Sequence, residues 1–185
     1  MPVKLVVGLG NPGRQYEGTR HNVGFEVLNR LALKYALGKR KRDFQAEVVE
    51  AKLNETKLLL VWPQTYMNLS GGSVLAARDF YKIPDDDVLV VCDDFNLPLG
   101  KLRIRPVGSS GGQKGLENIL NRLGTQQIAR LRLGVGTPGG DAVNFVLSKF
   151  RKEELSEIQI SIEHAMDAIG CWALQGTESC MNKYN

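Results

Sequence analysis

The sequence predicts an α/β fold: a single three-layer domain over residues 1–185, in which a twisted mixed β-sheet is flanked by helices. Apolar runs of strand length alternate along the chain with segments of helical periodicity, which is the pattern of layered α/β domains. The runs at residues 4–8 and 88–92 are almost entirely apolar, as expected for strands of a sheet that is covered on both faces. A length of 185 residues is typical of one hydrophobic core.

The first half of the chain predicts a strand, a helix and a β-hairpin. The strand at residues 4–8 ends in a glycine-rich turn, and apolar side chains at helical spacing then indicate a helix from about residue 22 to residue 36. A basic connection at residues 39–42 follows. Residues 44–53 and 57–62 flank a polar turn and predict the two strands of the hairpin.

The second half continues the alternation. Periodicity at residues 74–80 predicts a second helix that ends near Pro84. The buried strand at 88–92 is followed by a half-buried strand at 101–105, in which apolar and basic residues alternate. The remaining predicted elements are a third helix at 116–123, a strand at 128–135 and an amphipathic helix at 155–169.

Composition excludes several classes of protein. Hydrophobic residues at 43% and charged residues at 24% are ordinary globular values, which argues against disorder. No apolar run approaches the ~20 residues of a membrane helix, and the first residues lack the pattern of a signal peptide. Cys92, Cys171 and Cys180 are too scattered for a disulfide framework or a zinc site, and Cys92 is predicted to be a buried structural thiol. We therefore expect a reduced, cytoplasmic protein that binds no metal and no membrane.

The charge balance is mildly basic. Lys and Arg number 24 against 20 Asp and Glu, which gives a net charge of +4 and a pI near 9.0. Basic faces attract phosphates, so this excess favours anionic partners. Composition alone does not distinguish a nucleic-acid-binding protein from an ordinary basic enzyme.

Two short motifs suggest other functions. Residues 8–13 match the dinucleotide-binding pattern G-x-G-x-x-G, but helical periodicity begins too late and the expected ribose-binding acid is missing. Residues 108–112 match the G-x-S-x-G elbow of serine hydrolases, with Asp141 or Asp167 and His164 in suitable order. His164 falls on the polar face of the last helix, so a Gly/Ser loop at 108–112 is favoured over an elbow.

His21 and Asp93 are the candidate catalytic pair. His21 follows a polar loop after the first strand and starts a helix, whose N-terminal partial charge disfavours imidazolium and so keeps the base neutral. Asp93 ends another strand and is expected to accept the second ring N–H, whereas Asp94 alternates to the other face. Amide and phenol side chains also follow strand ends: Asn11, Tyr16, Asn22, Tyr66, Asn68 and Asn96.

Five longer blocks occur in order from about residue 3 to residue 150. They are Gly8-Leu9-Gly10-Asn11-Pro12-Gly13 with Tyr16 and Thr19-Arg20-His21-Asn22, then Thr65-Tyr66-Met67-Asn68-Leu69-Ser70-Gly71, Asp93-Asp94-Phe95-Asn96-Leu97-Pro98-Leu99-Gly100, Gly111-Gly112 with Gly115-Leu116, and Arg130-Leu131-Arg132-Leu133-Gly134-Val135-Gly136. Together these blocks resemble the signature of the bacterial-type peptidyl-tRNA hydrolase family. The resemblance implies a peptidyl-tRNA hydrolase-like α/β domain.

The resemblance also implies an activity. Members of this family hydrolyse the ester that joins a peptide to the terminal ribose of tRNA, which frees the tRNA for translation. It implies that His21 activates water, that Asp93 orients that histidine and keeps it basic, and that Asn11 favours N-blocked substrates. The residues implied to bind the peptide and the tRNA 3′ end are Tyr16, Tyr66, Met67 and Asn68. No cofactor, metal or covalent enzyme intermediate is implied, and a monomer is expected.

Basic residues on two strands fit a tRNA substrate. Arg103 and Arg105 share one strand face, as do Arg130 and Arg132, because side chains alternate with a period of two. Solubilising edge charge is the alternative interpretation. By resemblance, Arg103 and Arg132 occupy the positions that contact the acceptor-end phosphate.

One block departs from the family. Where the family usually has Gly-Gly-His-Asn-Gly, this chain has Gly111-Gly112-Gln113-Lys114-Gly115. Lys114 therefore replaces the asparagine credited with substrate binding, and a lysine donates hydrogen bonds but cannot accept them. We expect changed substrate contacts and retained hydrolysis, because His21 and Asp93 are present.

Two rival functions remain at this stage. A catalytically inactive RNA-binding homologue of the splicing-factor type keeps the basic face without ester hydrolysis, and Lys114 is the feature that suggests it. A serine esterase that uses Ser110 predicts inactivation by phosphonate reagents.

Overall fold

The computed structural model describes residues 2–185, and within them seven strands form one mixed sheet. The strands are β1 (Val3–Gly8), β2 (Lys41–Asp43), β3 (Ala46–Leu53), β4 (Thr56–Pro63), β5 (Val88–Asp94), β6 (Leu102–Arg105) and β7 (Ala129–Gly134). The helices are α1 (Val23–Tyr35), α2 (Ser70–Tyr81), α3 (Lys114–Leu123), α4 (Ala142–Val146) and α5 (Leu155–Tyr184). The strand order is β2-β3-β4-β1-β5-β7-β6, with the four strands β4-β1-β5-β7 parallel and the outer pairs antiparallel.

The sheet separates two hydrophobic cores. Val6 of β1 belongs to the core under α1 and α5, whereas its neighbours Leu5 and Val7 belong to the core under α2 and α3. This alternation follows from the pleat, which directs successive side chains to opposite faces. The predicted three-layer α/β fold is confirmed, and the continuously apolar β1 and β5 are its central strands.

The structure differs from the predicted elements at three places. The basic connection expected at residues 39–42 contains the start of an edge strand, β2, whose exposed side chains give no apolar pattern. The short helix α4 was not predicted; Asp141 caps it by accepting hydrogen bonds from two backbone N–H groups. The last helix extends beyond residue 169 to Tyr184 across a non-helical residue, Gly176. None of the helices within residues 2–185, α5 included, is both long and apolar enough to cross a membrane.

Two glycines bring α1 into direct contact with the sheet. A Cβ on Gly24 would overlap the carbonyl oxygen of Val91 in β5, and a Cβ on Gly8 would overlap the carbonyl oxygen of Gly24. Directly after Gly8, the backbone N–H of Leu9 donates to Val91 O at 3.0 Å, so the loop that follows β1 is also hydrogen-bonded to β5. The first turn of α1 is therefore fixed above the carboxyl end of β5, which places the residues just before α1 beside the last residues of that strand.

Candidate active site

The carboxyl ends of the four parallel strands lie at one edge of the sheet, where ligands bind in open α/β folds. A cavity of about 400 Å³ opens at this edge. Its polar and charged lining residues are Asn11, His21, Tyr66, Asn68, Asp93, Asp94, Gln113, Lys114 and Arg132. Most of the predicted site residues thus meet in one cavity. A larger groove of about 870 Å³ lies between β3, α2 and α3, and it contains neither His21 nor Asp93.

His21 and Asp93 are in direct contact. His21 lies in a short 3₁₀ turn, Arg20–Asn22, that leads into α1, and Asp93 lies near the end of β5. His21 Nδ1 is 2.9 Å from Asp93 Oδ2, and the two side chains are 15% and 2% exposed. An ionised carboxylate can only accept hydrogen bonds, so Nδ1–H is the donor of this contact and Nε2 is the ring nitrogen left to the cavity, which the ring lines.

Gln113 holds the second oxygen of the same carboxylate. Its Nε2 donates to Asp93 Oδ1 at 3.0 Å, and its Oε1 accepts from Leu116 N–H at 2.8 Å as the N-cap of α3. In the sequence, position 113 stands out only as a departure from the family motif, and its contact with Asp93 is not predicted. A polar residue between two glycines and an apolar helical run is typical of an N-cap, and this was the available signal.

The amide of Asn11 joins two loops of the site. Its Oδ1 accepts from Met67 N–H at 2.8 Å, and its backbone N–H and C=O pair with the side chain of Asn22 at 2.8 and 2.9 Å. Because Oδ1 is engaged by Met67, the Nδ2 group is on the other side of the amide and makes no hydrogen bond within residues 2–185. Asn11 therefore contributes amide donors to the cavity that it lines.

Tyr66 has an unusual backbone conformation for a residue with a side chain. Its φ is 62° and its ψ is 156°, a region that is almost restricted to glycine. The ring is exposed at the mouth of the cavity and makes an edge contact with Tyr16, with 6.5 Å between ring centroids. Tyr16 is not a lining residue, so its connection to the cavity is through Tyr66. Met67, by contrast, is buried beneath the cavity.

One wall of the cavity is apolar. It is formed by Phe95 and by residues of α4 and its ends: Ala142, Val143, Val146 and Leu147. Val143 is 66% exposed and Leu147 is 37% exposed, although both are large aliphatic side chains. This wall is not predicted from the sequence, because α4 is too short to give a periodic pattern.

Arg103 and Arg132 are cross-strand neighbours on β6 and β7. Arg103 is exposed, whereas Arg132 is largely buried, with Nη2 donating to Ser109 O at 3.0 Å and Nη1 lying 3.5 Å from Asp94 Oδ2. Of the two predicted phosphate contacts, Arg103 is therefore the exposed one. The guanidinium of Arg132 is partly engaged, at the edge of the cavity.

Arg130 has a structural environment instead. It is 1% exposed and donates hydrogen bonds to four backbone carbonyls, those of Gly108, Ser109, Gln126 and Ile128. Burial, followed by the neighbouring charge of Arg132, lowers its pKa to about 10, which still leaves it protonated at neutral pH. Its charge thus anchors the 108–109 loop from inside the protein.

Lys114 is the first residue of α3. Its side chain is 69% exposed at the rim of the cavity, and Nζ is 3.3 Å from Glu117 Oε2. A lysine in this position presents a mobile charge to a ligand, because the exposed ion pair with Glu117 is weak.

The structure supports neither a serine esterase that uses Ser110 nor a nucleophilic role for Cys92. Ser110 Oγ accepts from Gly112 N–H at 3.3 Å, and His164 is exposed on α5 with no hydrogen bond to Ser110 within residues 2–185. Burial raises the pKa of the Cys92 thiol to about 12, so it stays protonated. Among the described residues, 2–185, no three His, Cys, Asp or Glu side chains are grouped as a metal site requires.

Comparisons with known proteins agree on one family. The family model described as peptidyl-tRNA hydrolase matches residues 5–185. The peptidyl-tRNA hydrolase of Rhodopirellula baltica is 48% identical over 99% of this chain and 97% of its own length, and that of Desulforamulus reducens is 47% identical over 99% and 89%. The crystal structure of the peptidyl-tRNA hydrolase from Acinetobacter baumannii superposes with a TM-score of 0.92 at 33% identity, covering 100% of this chain and 95% of that one.

Proposed function

Because this chain belongs to the peptidyl-tRNA hydrolase family, we propose that it hydrolyses the ester between the peptide of peptidyl-tRNA and the terminal ribose, with His21 as the base. The observation that carries the assignment is the 2.9 Å contact between His21 Nδ1 and Asp93 Oδ2 at the floor of an open cavity. This contact fixes the tautomer in which Nε2 is free to accept a proton.

In the proposed reaction, His21 Nε2 removes a proton from a water molecule as its oxygen attacks the ester carbonyl carbon. The imidazolium that forms is stabilised by the Asp93 carboxylate on its Nδ1–H side. When the tetrahedral intermediate collapses, the C–O bond to the ribose breaks and the imidazolium returns the proton to the ribose oxygen. The products are a peptide with a free carboxyl group and a tRNA with a free terminal ribose.

Asn11 is the proposed donor to the substrate carbonyl groups. Its Nδ2–H group is available because Met67 N–H already fixes the orientation of the amide. A preorganised donor stabilises the negative charge of a tetrahedral intermediate without reorganising. The same donor can bind the amide carbonyl of an N-blocked substrate, which a free aminoacyl group lacks.

The remaining residues are assigned to substrate binding. Tyr66, Met67 and Asn68 border the cavity on the side of Asn11 and bind the peptide and the 3′ nucleotide, with Tyr16 supporting the ring of Tyr66. Lys114 supplies a charge at the rim for a phosphate or ribose oxygen of the tRNA. Arg103 and Arg132 extend this positive surface to the acceptor-end phosphates.

A single chain carries all the proposed catalytic groups, which supports action as a monomer, and a tRNA substrate supports action in the cytoplasm. The RNA-binding alternative is not favoured, because the relatives that span this chain are named as hydrolases. Lys114 also gives it little support, since it lies at the rim of the cavity and not at the His21–Asp93 contact.

The test compares N-acetylated aminoacyl-tRNA with its unblocked counterpart. We expect the wild-type protein to cleave the blocked substrate selectively and His21→Ala to lose about 10²–10⁴-fold in turnover, the usual contribution of a general base. His164→Ala is the matched control, because it removes the only other histidine from an exposed position on α5. Wild-type turnover by His21→Ala would show that the base is wrongly assigned.

A further inference from the structure

We propose that Gln113 is a positioning residue that holds the Asp93 carboxylate in the orientation in which it pairs with His21. Gln113 reaches the reaction only through Asp93, so this inference rests on the proposed roles of that pair. The chain departs from the family motif at both Gln113 and Lys114. Of these two changes, we expect the one at Gln113 to affect the catalytic pair.

The orientation of the Gln113 amide is determined by its two partners. Leu116 N–H can only donate, so the atom 2.8 Å from it must be the carbonyl oxygen Oε1. The other end of the amide, Nε2, is then directed at Asp93 Oδ1 at 3.0 Å. Nε2 also lies 3.2 Å from the sulfur of Met67, and Gln113 is only 7% exposed. The amide is therefore locked from both ends and packed against the cavity floor.

This arrangement specifies where protons can lie. Asp93 is 3% exposed, and each of its oxygens faces a nitrogen that bears hydrogen: Nε2 of Gln113 at Oδ1 and Nδ1 of His21 at Oδ2. A proton on Oδ1 would collide with the Gln113 amide hydrogens. A proton on Oδ2 would displace the hydrogen on His21 Nδ1 and leave the histidine in the wrong tautomer. The amide thus favours the one protonation state that the proposed mechanism uses.

The family usually has a histidine where this chain has Gln113. Unlike an imidazole, the amide of Gln113 does not titrate between pH 4 and pH 10. The charged and titratable groups that line the cavity are His21, Tyr66, Asp93, Asp94, Lys114 and Arg132. Asp94 and Arg132 pair with each other at 3.5 Å, and Lys114 lies near Glu117. With glutamine at 113, no titratable side chain from α3 touches the Asp93 carboxylate, so the acid limb of the pH–rate profile reports the His21–Asp93 pair alone.

Gln113→Glu distinguishes the two roles of this side chain, which are to donate to Asp93 and to cap α3. The variant keeps the size of the side chain and an oxygen that can accept from Leu116 N–H, but it replaces the donor to Asp93 with a second carboxylate. We expect kcat/KM at pH 7 to fall about tenfold or more, as on loss of a hydrogen bond to a charged group. The acid limb should also move to higher pH by about one unit, because the added negative charge favours the protonated imidazole.

Two further variants test whether the N–H donor at position 113 is responsible for these effects. Gln113→His restores an N–H donor, so we expect its rate at pH 8 to remain within about threefold of wild type and a further ionisation to enter the profile. Ser110→Ala, in the same loop, should leave both rate and profile unchanged, because the half-buried Ser110 hydroxyl contacts Gly112 N–H and not Asp93 or His21. If Gln113→Glu does not fold, a wild-type acid limb together with a reduced rate in Gln113→His contradicts the proposal.

The outcomes distinguish this inference from the proposed function. An inactive His21→Ala combined with a wild-type rate and profile in Gln113→Glu would overturn the role of Gln113 and leave the base assignment intact. A lowered melting temperature in Gln113→Glu with an unshifted acid limb would show that residue 113 only caps α3. An active His21→Ala would instead overturn the mechanism on which this inference depends.

Discussion

Arg20 and Glu154 form a buried ion pair although they are 134 positions apart, with 2.7 Å between Nη2 and Oε2. Arg20 immediately precedes the proposed base. Its guanidinium also donates to Val135 O at 2.8 Å and lies against the rings of Phe145 and Phe150. Arg20 therefore connects the turn that carries the base both to α4, through Phe145, and to the segment before α5, through Glu154.

The pH dependence of folding should report this pair. Burial by itself would raise the pKa of Glu154, but hydrogen bonds from Arg20 and Arg151 outweigh it and lower the pKa to about 2. A carboxyl group whose pKa is lower in the folded state stabilises the fold above its unfolded pKa, about 4.3 for glutamate, and loses this contribution as pH falls toward the folded value. The loss is thus expected between about pH 5 and pH 2.

Glu154→Gln removes the charge and leaves Arg20 buried without a counter-ion. We expect a free energy of unfolding lower by about 3–5 kcal/mol at pH 7, with a weaker dependence on pH below about 5 than wild type. Urea unfolding at pH 7, 5 and 3 measures both effects. Glu163→Gln is the control: it breaks an exposed pair with Arg30 and should cost under about 1 kcal/mol. Equal costs for the two variants would contradict the account.

The layers of the fold and the contact between His21 and Asp93 could be predicted from the sequence. The strands β1 and β5 carry apolar runs, β7 alternates apolar and basic residues, and β6 alternates buried and exposed residues as predicted. His21 and Asp93 could be related because His21 follows the loop after β1 and Asp93 ends β5, and the carboxyl ends of these two parallel strands share a sheet edge. The motif also predicted that Asn11, Tyr66, Met67 and Asn68 would be grouped with them, and the structure places these residues together.

Contacts that depend on tertiary packing could not be predicted. The ion pair of Arg20 with Glu154 joins segments with no periodic relation, and Arg130 shares a strand face with Arg132 yet is buried by a loop that follows β6. Edge strand β2 has no apolar pattern because all its side chains are exposed. The role of Gln113 could not be predicted, because the change from the family asparagine falls at Lys114, whereas the buried contact with Asp93 is made by the preceding residue.

Gly24→Ala should test the close approach of α1 to the sheet. The added methyl group would overlap the carbonyl oxygen of Val91, so either the helix or β5 must move. We expect a loss of about 3 kcal/mol or more in unfolding free energy, together with reduced turnover because His21 moves with the helix. Gly72→Ala in α2 is the matched control, since open space surrounds the new Cβ and stabilisation by about 0.5–1 kcal/mol is expected. Comparable melting temperatures for both variants would contradict this packing.

Tyr66 should show a conflict between stability and substrate binding. Its positive φ with extended ψ costs about 1–3 kcal/mol for a residue with a Cβ, and glycine relieves that cost. We expect Tyr66→Gly to be more stable than Tyr66→Ala by about 1 kcal/mol, after the greater chain entropy of glycine is subtracted. Both variants lack the ring, so KM for blocked aminoacyl-tRNA should rise by the same factor in each. Thermal unfolding and steady-state kinetics measure the two effects, and an alanine variant as stable as the glycine variant would exclude backbone strain.

Arg103 should supply a non-specific electrostatic contact to tRNA. It is exposed on β6 beside Arg132, and a contact to one phosphate adds about 0.7–0.9 to the slope of log K against log salt concentration. In a His21→Ala background, which prevents turnover, Arg103→Ala should weaken binding of N-acetylated aminoacyl-tRNA and reduce the salt slope by about one.

Lys34→Ala is the control, because Lys34 lies at the end of α1 remote from the cavity and should change neither quantity. Arg132→Ala should lower both the slope and the melting temperature, since that side chain also holds Ser109 O. An unchanged slope in Arg103→Ala would remove this residue from the tRNA interface.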